Sequence, residues 1–403
     1  MRIFISAGEP SGDLHAANLV RSIRSLRPDA EFVGFGGPEM IEAGASLLYP
    51  LVELSVMWFT RVLLNIHEFL AIVDQADQYF RDFRPDVVVL IDYPGLHWWI
   101  ARKAKARGIP VVYYVPPQIW AWAGWRVKKV RRFVDHVLCS LPFEPAWYHA
   151  RGVPQAKYVG HPYFDELKER VLDETFLADQ RAKGGRIVGL LPGSRTQEVT
   201  RNVPVMLRAA LRLAGSHPGQ PIRFAIACLR DKHKATVEAM IVEAGCEKLP
   251  IEVHAGRTAE LIRLAEVAWA VSGSVGLELL MEALPTVVLY KVNRRDLLIA
   301  RRFIKTKYIS LVNLLADVEV MPEYLTPVDT SKELAGWAAR WLDDPTERAK
   351  AASALATLRD RVAVPGASDR AAAEIVAVIE SEIPSVRGPH VRPTRPVESE
   401  ARY

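Results

Sequence analysis

Short apolar runs rich in Val and Ile alternate along this chain with longer amphipathic segments, and this alternation limits the fold more than any other feature. Such runs, separated by helices, are typical of parallel βαβ units whose strands are buried on both faces. In the first half, strands are predicted at residues 3–6, 31–37, 86–92, 110–115 and 136–140. The pattern then restarts, with strands predicted at 185–195, 222–228, 267–274 and 286–292. The sequence therefore predicts an α/β fold with two doubly wound domains.

Chain length and the restarted pattern set the predicted domain boundaries. A single doubly wound sheet rarely needs 403 residues, so two domains are expected. We predict an N-terminal domain over 1–165, a linker over 166–184 and a second domain over 185–355. Helices in 356–383 could pack back on the N-terminal domain. Residues 384–403 are rich in Pro and Arg and poor in apolar side chains, which predicts a disordered tail.

Composition excludes several classes of protein. The formal net charge of +5 is too small to indicate a nucleic-acid partner, and no nucleic-acid-binding module is present. The longest uncharged run, 109–125, is short for a membrane span and contains Pro116-Pro117, so no transmembrane helix is expected. Cys139, Cys228 and Cys246 have no metal-ligand spacing, which indicates a reducing, cytoplasmic location. Neither a metal nor another cofactor is predicted.

Polar residues at strand ends are the candidates for function, because open α/β sheets bind ligands beyond the carboxyl ends of their strands. The first predicted strand is followed by Glu9, Ser11, Gly12 and Asp13. These residues suit a turn with Ser11 or Asp13 as helix N-cap, or a ligand-binding loop before a helix N-terminus. Asp92 ends the apolar run VVVLI, where it suits either an Asx turn or a general base.

Two further loops of this kind lie in the second half. LPGSR follows a predicted strand, and Arg195 offers a fork for phosphate oxygens while Glu198 is placed to cap the next helix. SGSVGLE can cradle a phosphate, and Glu278 could accept both hydroxyls of a ribose. Together the loops predict a site for a nucleotide diphosphate. Its expected ligand contacts are Gly193, Ser194, Arg195, Ser272, Gly273, Ser274 and Glu278.

Tryptophans lie beside clusters of basic residues. The residues concerned are Trp58, Phe59, Trp122, Trp125, Arg126, Lys128 and Lys129. Buried aromatics next to a solvated basic face would explain them. Aromatic side chains next to Lys and Arg also suit an anionic membrane surface or a phosphorylated lipid.

Several motifs occur together in the order and spacing of one known family. They are GEPSGD (8–13), GGPEM (36–40), Asp-x-Pro (92–94), PPQIWAW (116–122), LPFE (141–144), GHP (160–162), LPGSR-x-x-E (191–198), SGSVGLE (272–278) and VVLYK (287–291). From residue 1 to about 383, the chain resembles the lipid-A-disaccharide synthases. These are glycosyltransferases of the GT-B architecture, in which two Rossmann-like domains face each other across a crevice.

The resemblance implies a metal-independent, inverting transfer in lipid A biosynthesis. UDP-2,3-diacylglucosamine would donate its sugar to the 6-hydroxyl of 2,3-diacylglucosamine 1-phosphate, giving a β-1,6-linked disaccharide and UDP. Asp92 matches the family's proposed base, and the loop with Glu9, Ser11 and Asp13 would face the acceptor sugar. Arg195, Ser272 and Glu278 would lie on the nucleotide side, with Asn313 nearby. The family also implies peripheral association with the inner membrane from the cytoplasm, and homodimers formed through C-terminal parts.

The chain departs from the family pattern at several positions. Leu96-His97 replace a usual Phe-Asn, SGSVGLE replaces SGTATLE, and Val312 replaces the Pro of Leu-Pro-Asn. Three alternatives therefore remain open: a related GT-B transferase with another UDP-sugar or lipid acceptor, a UDP-sugar epimerase, and a non-catalytic binder of UDP or lipid.

Overall fold

The computed structural model describes residues 1–53, 66–295, 297 and 306–382, which form two parallel β-sheets covered by helices. The strands of the first sheet are β1 (Arg2–Ala7), β2 (Glu31–Phe35), β3 (Ser46–Tyr49), β4 (Val87–Ile91), β5 (Val111–Tyr114), β6 (His136–Cys139) and β7 (Ala156–Tyr158). Their order across the sheet is β3-β2-β1-β4-β5-β6-β7. The order reverses between β1 and β4, so the loops after these two strands border one crevice.

The second sheet repeats this arrangement. Its strands are β8 (Arg186–Leu191), β9 (Ile222–Cys228), β10 (Ile251–Ala255), β11 (Val267–Ala270), β12 (Thr286–Lys291) and β13 (Glu323–Thr326). Their order is β10-β9-β8-β11-β12-β13, and the reversal falls between β8 and β11. The predicted α/β fold with two doubly wound domains is confirmed.

Helices cover both faces of both sheets. Those that follow strands of the first sheet are α1 (Pro10–Leu26), α2 (Pro38–Glu42), α3 (Ile66–Phe83), α4 (Pro94–Ala106), α5 (Ile119–Trp122), α6 (Val127–Phe133) and α7 (Glu144–His149). The remaining helices are α8 (Tyr163–Glu169), α9 (Glu174–Ala182), α10 (Thr196–Ser216), α11 (Asp231–Glu243), α12 (Thr258–Leu264), α13 (Val275–Met281), α14 (Leu311–Ala316), α15 (Ser331–Asp343), α16 (Pro345–Val362) and α17 (Ala367–Glu382). Within the described ranges, no helix combines the length and apolar composition that crossing a bilayer would require.

Strand β4 shows why these runs are apolar without interruption. All five of its side chains are buried, because successive residues point to opposite faces and helices cover each face. Val88 and Leu90 belong to the core layer that contains Phe80 of α3, whereas Val89 and Ile91 belong to the opposite layer with α1.

All nine predicted strands are present, but four strands had not been predicted. These are β3, β7, β10 and β13, which are the two edge strands of each sheet. Most of their side chains are only partly buried, and each strand has at most five residues. Edge strands therefore lack the long apolar run by which the central strands are recognised in the sequence.

The C-terminal helices are divided between the two domains. Helix α16 packs on the second domain, where Leu355 and Leu358 join the core layer of α13. Helix α17 returns to the first domain and buries Ile375 against α1. Its Asp369 accepts a hydrogen bond from the hydroxyl of Ser22 at 2.7 Å. The predicted tail at 384–403 lies outside the described residues.

Candidate active site

The loops after β1 and β4 meet closely at the reversal point of the first sheet. Gly8 follows β1, and a Cβ atom at this position would lie 2.3 Å from Cγ of Tyr93, the residue after Asp92. Only glycine allows so close an approach. Glu9 is the N-cap of α1 and has extended backbone angles, and Asp92 directly follows β4. Glu9 and Asp92 are thereby brought to the same edge of the sheet.

The backbone of Asp92 is held in an unfavourable conformation by its neighbours. Asp92 has a φ of 47° and Tyr93 a φ of 45°, both in the left-handed region that costs non-glycine residues free energy. The carbonyl oxygen of Asp92 accepts hydrogen bonds from the Tyr113 hydroxyl at 2.6 Å and from Nδ1 of His97 at 2.7 Å. Backbone strain held in place at a crevice is typical of functional residues.

His97 is neutral in this network. It is fully buried, and burial lowers its pKa to about 3. Because Nδ1 lies against a carbonyl oxygen, it carries the proton, and Nε2 accepts the hydroxyl of Ser6 at 3.0 Å. Ser6 and His97 together hold the backbone of Asp92 at the point where the chain leaves β4.

Charged side chains of both domains affect the pKa of Glu9. Burial raises the pKa of the Asp92 carboxyl above its ordinary value. Burial, and then the charge of Asp92, raise the pKa of Glu9, while Arg195 of the second domain lowers it. Glu9 therefore lies within electrostatic range of both Asp92 and Arg195.

The remaining predicted residues after β1, Ser11 to Asp13, mainly stabilise the fold. Asp13 is 1% exposed, and its carboxylate accepts the backbone N–H groups of Gly37 at 2.8 Å, Glu39 at 3.0 Å and Met40 at 3.3 Å. The sequence predicted that Asp13 faces a sugar, but its carboxylate is committed to the start of α2. Gly12 is buried as well, whereas Ser11 is exposed on the first turn of α1. Neither Ser11 nor Asp13 is the N-cap of α1.

The loop after β8 is built around Glu198. Gly193 has a φ of 124°, and a Cβ atom there would lie 2.5 Å from the Glu198 carboxylate, so glycine is required. Glu198 accepts the backbone N–H groups of Ser194 at 3.1 Å and Arg195 at 3.2 Å, which agrees with its predicted capping role. The backbone N–H of Ser194, which was expected to bind a phosphate, therefore donates to Glu198 instead. The Arg195 side chain is 68% exposed and lies 3.3 Å from Glu198.

Two residues of the segment between β7 and β8, which we call the interdomain segment, hold Glu278. The Tyr163 hydroxyl donates to one carboxylate oxygen of Glu278 at 2.5 Å, and Nη1 of Arg170 donates to the other at 2.5 Å. Ser272 donates its hydroxyl to the Ile309 carbonyl at 2.7 Å. Tyr163 and Arg170 were not predicted as site residues, because neither stands in a motif with a local signature of ligand binding.

These two loops and the interdomain segment enclose a cavity of about 680 Å³, which we call the nucleotide cavity. Its size is within the range of small-molecule sites. It brings together every predicted nucleotide-side residue except Asn313: Gly193, Ser194, Arg195, Ser272, Gly273, Ser274 and Glu278. Among the described residues, no group of three His, Cys, Asp or Glu side chains could hold a metal ion.

Asn313 lies outside the nucleotide cavity. It is fully buried at the start of α14, where its side chain accepts the backbone N–H groups of Val320 and Met321, both at 2.9 Å. Its amide nitrogen donates to the Met321 carbonyl at 2.7 Å. The sequence placed Asn313 near the nucleotide, but these bonds commit it to the connection between α14 and β13.

An aromatic and basic surface lies on the first domain. Trp122 is 43% exposed and Trp125 is 58% exposed, and the Arg126 guanidinium stacks 4.6 Å from the Trp122 ring centroid. Lys128 and Lys129 are exposed on α6. The other two predicted lipid contacts, Trp58 and Phe59, lie outside the described residues.

Comparison with known proteins identifies the family. The family model described as lipid-A-disaccharide synthetase matches residues 3–371. The lipid-A-disaccharide synthase of Geobacter sulfurreducens is 33% identical over 383 residues, covering 95% of this chain and 98% of that protein. The lipid-A-disaccharide synthase of Myxococcus xanthus is 36% identical over 379 residues, covering 94% of this chain and 97% of that protein.

Solved structures show the same architecture at low sequence identity. A putative UDP-N-acetylglucosamine 2-epimerase from Listeria monocytogenes has a TM-score of 0.65 at 12% identity, covering 98% of this chain and 99% of its own. The MurG protein of Acinetobacter baumannii has a TM-score of 0.56 at 12% identity, covering 94% of this chain and 100% of its own. These likenesses establish the GT-B fold. The sequence matches establish the family: this chain belongs to the lipid-A-disaccharide synthases, which are glycosyltransferases.

Proposed function

We propose that this enzyme transfers 2,3-diacylglucosamine from UDP to the 6-hydroxyl of 2,3-diacylglucosamine 1-phosphate, forming a β-1,6-linked disaccharide 1-phosphate and UDP. Family membership supports the reaction class. The observation that carries the proposal is geometric: the loop of Glu9 packs against the loop that holds Asp92, and Glu9 and Arg195 of the second domain line one cavity. A carboxylate that can accept a proton and a cation that can hold a diphosphate thus lie on opposite sides of one crevice.

Asp92 would act as the general base. In the proposed step it takes the proton of the acceptor 6-hydroxyl while that oxygen forms a bond to the anomeric carbon of the donor sugar. The bond from the anomeric carbon to the UDP oxygen breaks, and its electron pair leaves with UDP. Attack from the face opposite the leaving group inverts the anomeric configuration. Partial burial suits Asp92 to this role, because a raised pKa makes the carboxylate a stronger base.

Arg195 and the N-terminus of α10 would stabilise the charge that develops on the leaving diphosphate. Arg195 lies at the wall of the nucleotide cavity, directly before the first residue of α10. Backbone N–H groups at a helix N-terminus and a planar guanidinium both favour phosphate oxygens. Glu278, which lines the same cavity, would accept the ribose hydroxyls, with Ser272, Gly273 and Ser274 against the nucleotide.

The aromatic and basic surface is proposed to contact an anionic membrane. Trp122 and Trp125 present apolar area next to the charges of Arg126, Lys128 and Lys129, and this combination favours the headgroup region of a bilayer. Acting on acylated substrates, the enzyme would work peripherally at the cytoplasmic face of the inner membrane. Homodimer formation through C-terminal parts is proposed from the family alone.

The proposal is tested by UDP release from the purified full-length protein supplied with UDP-2,3-diacylglucosamine, with and without 2,3-diacylglucosamine 1-phosphate. We expect acceptor-dependent release that Asp92→Asn lowers by about 10²- to 10⁴-fold. Asp74→Asn, an exposed change on α3, is the matched control and should leave the rate unchanged. UDP binding without acceptor-dependent release would contradict the proposal and favour another acceptor or a non-catalytic binder.

A further inference from the structure

A second cavity of about 860 Å³ lies beside the nucleotide cavity and reaches the first domain. Glu9 and Pro10 form its wall on the first domain, and residues of the second domain form the rest. The two cavities are adjacent, since both are lined by Ser194, Arg195, Glu198 and Leu229. The proposed function assigns no group of either substrate to this second cavity.

The lining of this cavity is strongly cationic, and we call it the cationic cavity. Its basic side chains are Arg195, Arg201, Arg230 and Lys291. Its carboxylates are Glu9 and Glu198, and Glu198 accepts two backbone N–H groups and forms an ion pair with Arg195. The Lys291 ammonium donates to the carbonyls of Pro327 and Val328. A cavity with this balance of charge attracts an anion, and guanidinium groups favour the oxygens of a phosphate in particular.

Two helices add to the positive potential. Arg195 is the N-cap of α10 and Arg230 is the N-cap of α11, so both helices begin at the wall of the cationic cavity. In the described part of the chain, no side chain caps the first turn of α11. The positive end of the helix dipole and the N–H groups of the first turn are favourable for an anion.

His233 provides a separate sign of an absent polar partner. It lines the cationic cavity but is only 5% exposed, and its Nε2 atom lies 3.2 Å from the Thr196 hydroxyl. Its Nδ1 atom is buried and has no hydrogen-bond partner among the described residues. Buried polar atoms are rarely left without a partner, so an unmatched one at a cavity wall indicates that a ligand or water binds there.

We infer that the cationic cavity binds the phosphate monoester of the acceptor sugar, with Arg230 and Arg201 as its specific cations and Arg195 shared with the donor. The inference rests on the proposed function, in which the acceptor hydroxyl lies at Asp92. Glu9 lies in the loop that packs against Tyr93, the residue after Asp92, and forms the wall of the cationic cavity on the first domain. In the inferred arrangement, a sugar with its 6-hydroxyl at Asp92 would extend past Glu9 into the cationic cavity, which Arg230 lines.

The first test compares steady-state constants of the full-length wild type with those of Arg230→Gln. We expect the KM for 2,3-diacylglucosamine 1-phosphate to rise about tenfold, which is the loss of one charge-assisted hydrogen bond, while the KM for the UDP-sugar stays within twofold. Arg230→Lys should recover part of the loss, because it keeps the charge. Arg340→Gln, an exposed change on α15 outside both cavities, is the matched control and should behave as the wild type.

The second test removes the phosphate instead of the cation. Wild type should discriminate against the acceptor that lacks its 1-phosphate, and Arg230→Gln should discriminate about tenfold less than the wild type, because the phosphate has already lost its contact with Arg230 in the variant and keeps those with Arg201 and Arg195. A rise in the UDP-sugar KM in Arg230→Gln, with the acceptor KM unchanged, would overturn the inference and assign the cavity to the donor diphosphate.

Binding without turnover separates failure of this inference from failure of the proposed function. Glucosamine 1-phosphate is titrated onto the wild type and Arg230→Gln in the presence of UDP, and binding is followed by ligand-observed NMR. Binding that is lost in the variant supports a sugar-phosphate site even where no disaccharide is formed. Equal binding to both proteins, or none to the wild type, overturns the inference.

Discussion

The Nδ1 atom of His97 lies 2.7 Å from the carbonyl oxygen of Asp92, so a buried neutral imidazole holds the backbone of the proposed base. Tyr113 donates to the same oxygen, and Ser6 fixes the other nitrogen of the ring. Asp92 keeps a left-handed φ of 47° under these constraints. His97 therefore positions Asp92 through the main-chain carbonyl of that residue.

His97→Leu should lower kcat about tenfold or more and leave both KM values within twofold, because His97 is fully buried and offers a substrate no surface to contact. It leaves Ser6 without its partner and should reduce the free energy of unfolding by about 1–3 kcal/mol. His97→Asn should recover most of kcat, since its amide can also donate to the Asp92 carbonyl. Steady-state UDP release and urea unfolding measure the two effects. An unchanged kcat in His97→Leu would show that Tyr113 alone is sufficient.

Asp92→Asn should make the protein more stable at pH 7 while removing its activity. Burial raises the pKa of Asp92 in the folded protein, so the contribution of Asp92 to stability is greatest at low pH and falls as the pH rises through the unfolded and then the folded pKa. Asparagine carries no charge and tolerates the left-handed conformation, so the gain should vanish at low pH. Urea unfolding at pH 4 and pH 7 measures the difference in the free energy of unfolding between the wild type and the variant. A less stable variant at pH 7 would contradict the burial argument.

The same raised pKa predicts the pH dependence of turnover. Asp92 must be ionised to accept the proton, so kcat/KM should fall on the acidic side with an apparent pKa above the ordinary value of an aspartate. The pH profile of UDP release measures this limb. An apparent pKa at or below the ordinary value would argue against Asp92 as the base.

Glu278→Gln should weaken UDP binding about tenfold, because the proposed ribose contact loses a charged acceptor. Its hydrogen bonds from Tyr163 and Arg170 are also weakened, so the interdomain segment loses a connection to the second domain. Titration calorimetry with UDP measures the change. Glu282→Gln is the matched control one turn later, where Glu282 pairs with Arg263 outside the cavity. Equal UDP affinities in the two variants would exclude Glu278 from the site.

Asp13→Ala should destabilise the protein without a direct effect on chemistry. It leaves the buried N–H groups of Gly37 and Met40 without their acceptor and removes the cap of α2, at a cost of about 2 kcal/mol or more. The kcat of the folded fraction should stay within about twofold. Asp29→Ala removes an exposed carboxylate and should be nearly neutral. A large loss of kcat with unchanged stability would return Asp13 to the acceptor side.

Glu144 should make stability fall as the pH rises toward neutrality. It is fully buried, accepts hydrogen bonds from Trp120 and the Leu141 N–H, and burial raises its pKa from 4.5 to about 7. Glu144→Gln loses one of these bonds but carries no charge. The stability advantage of the wild type over the variant should therefore shrink by up to about 3 kcal/mol between pH 4.5 and pH 8. Urea unfolding measures it, and Glu42→Gln, which is exposed, should show no such trend.

The architecture and the location of the site could be predicted from local patterns. Uninterrupted apolar runs between amphipathic segments identify central strands of parallel sheets, because both faces of such strands are buried. Since ligands bind at the carboxyl ends of those strands, the polar residues that follow them could be chosen without a structure. Glu9, Asp92, Arg195 and Glu278 were identified in this way, and the structure places all four at the crevice edges or cavity walls described above.

Only the tertiary structure decided which of these polar groups remain available to a ligand. Asp13 is committed to α2, Asn313 to the β13 connection, and the Ser194 N–H to Glu198, although Asp13 and Ser194 stand in the same motifs as Glu9 and Arg195. Tyr163 and His97 each form a hydrogen bond with a partner more than 90 positions away in the chain. A hydrogen bond between residues that are distant in the chain leaves no periodic or local signal, so the sequence determined where the site lies and the fold determined which side chains it contains.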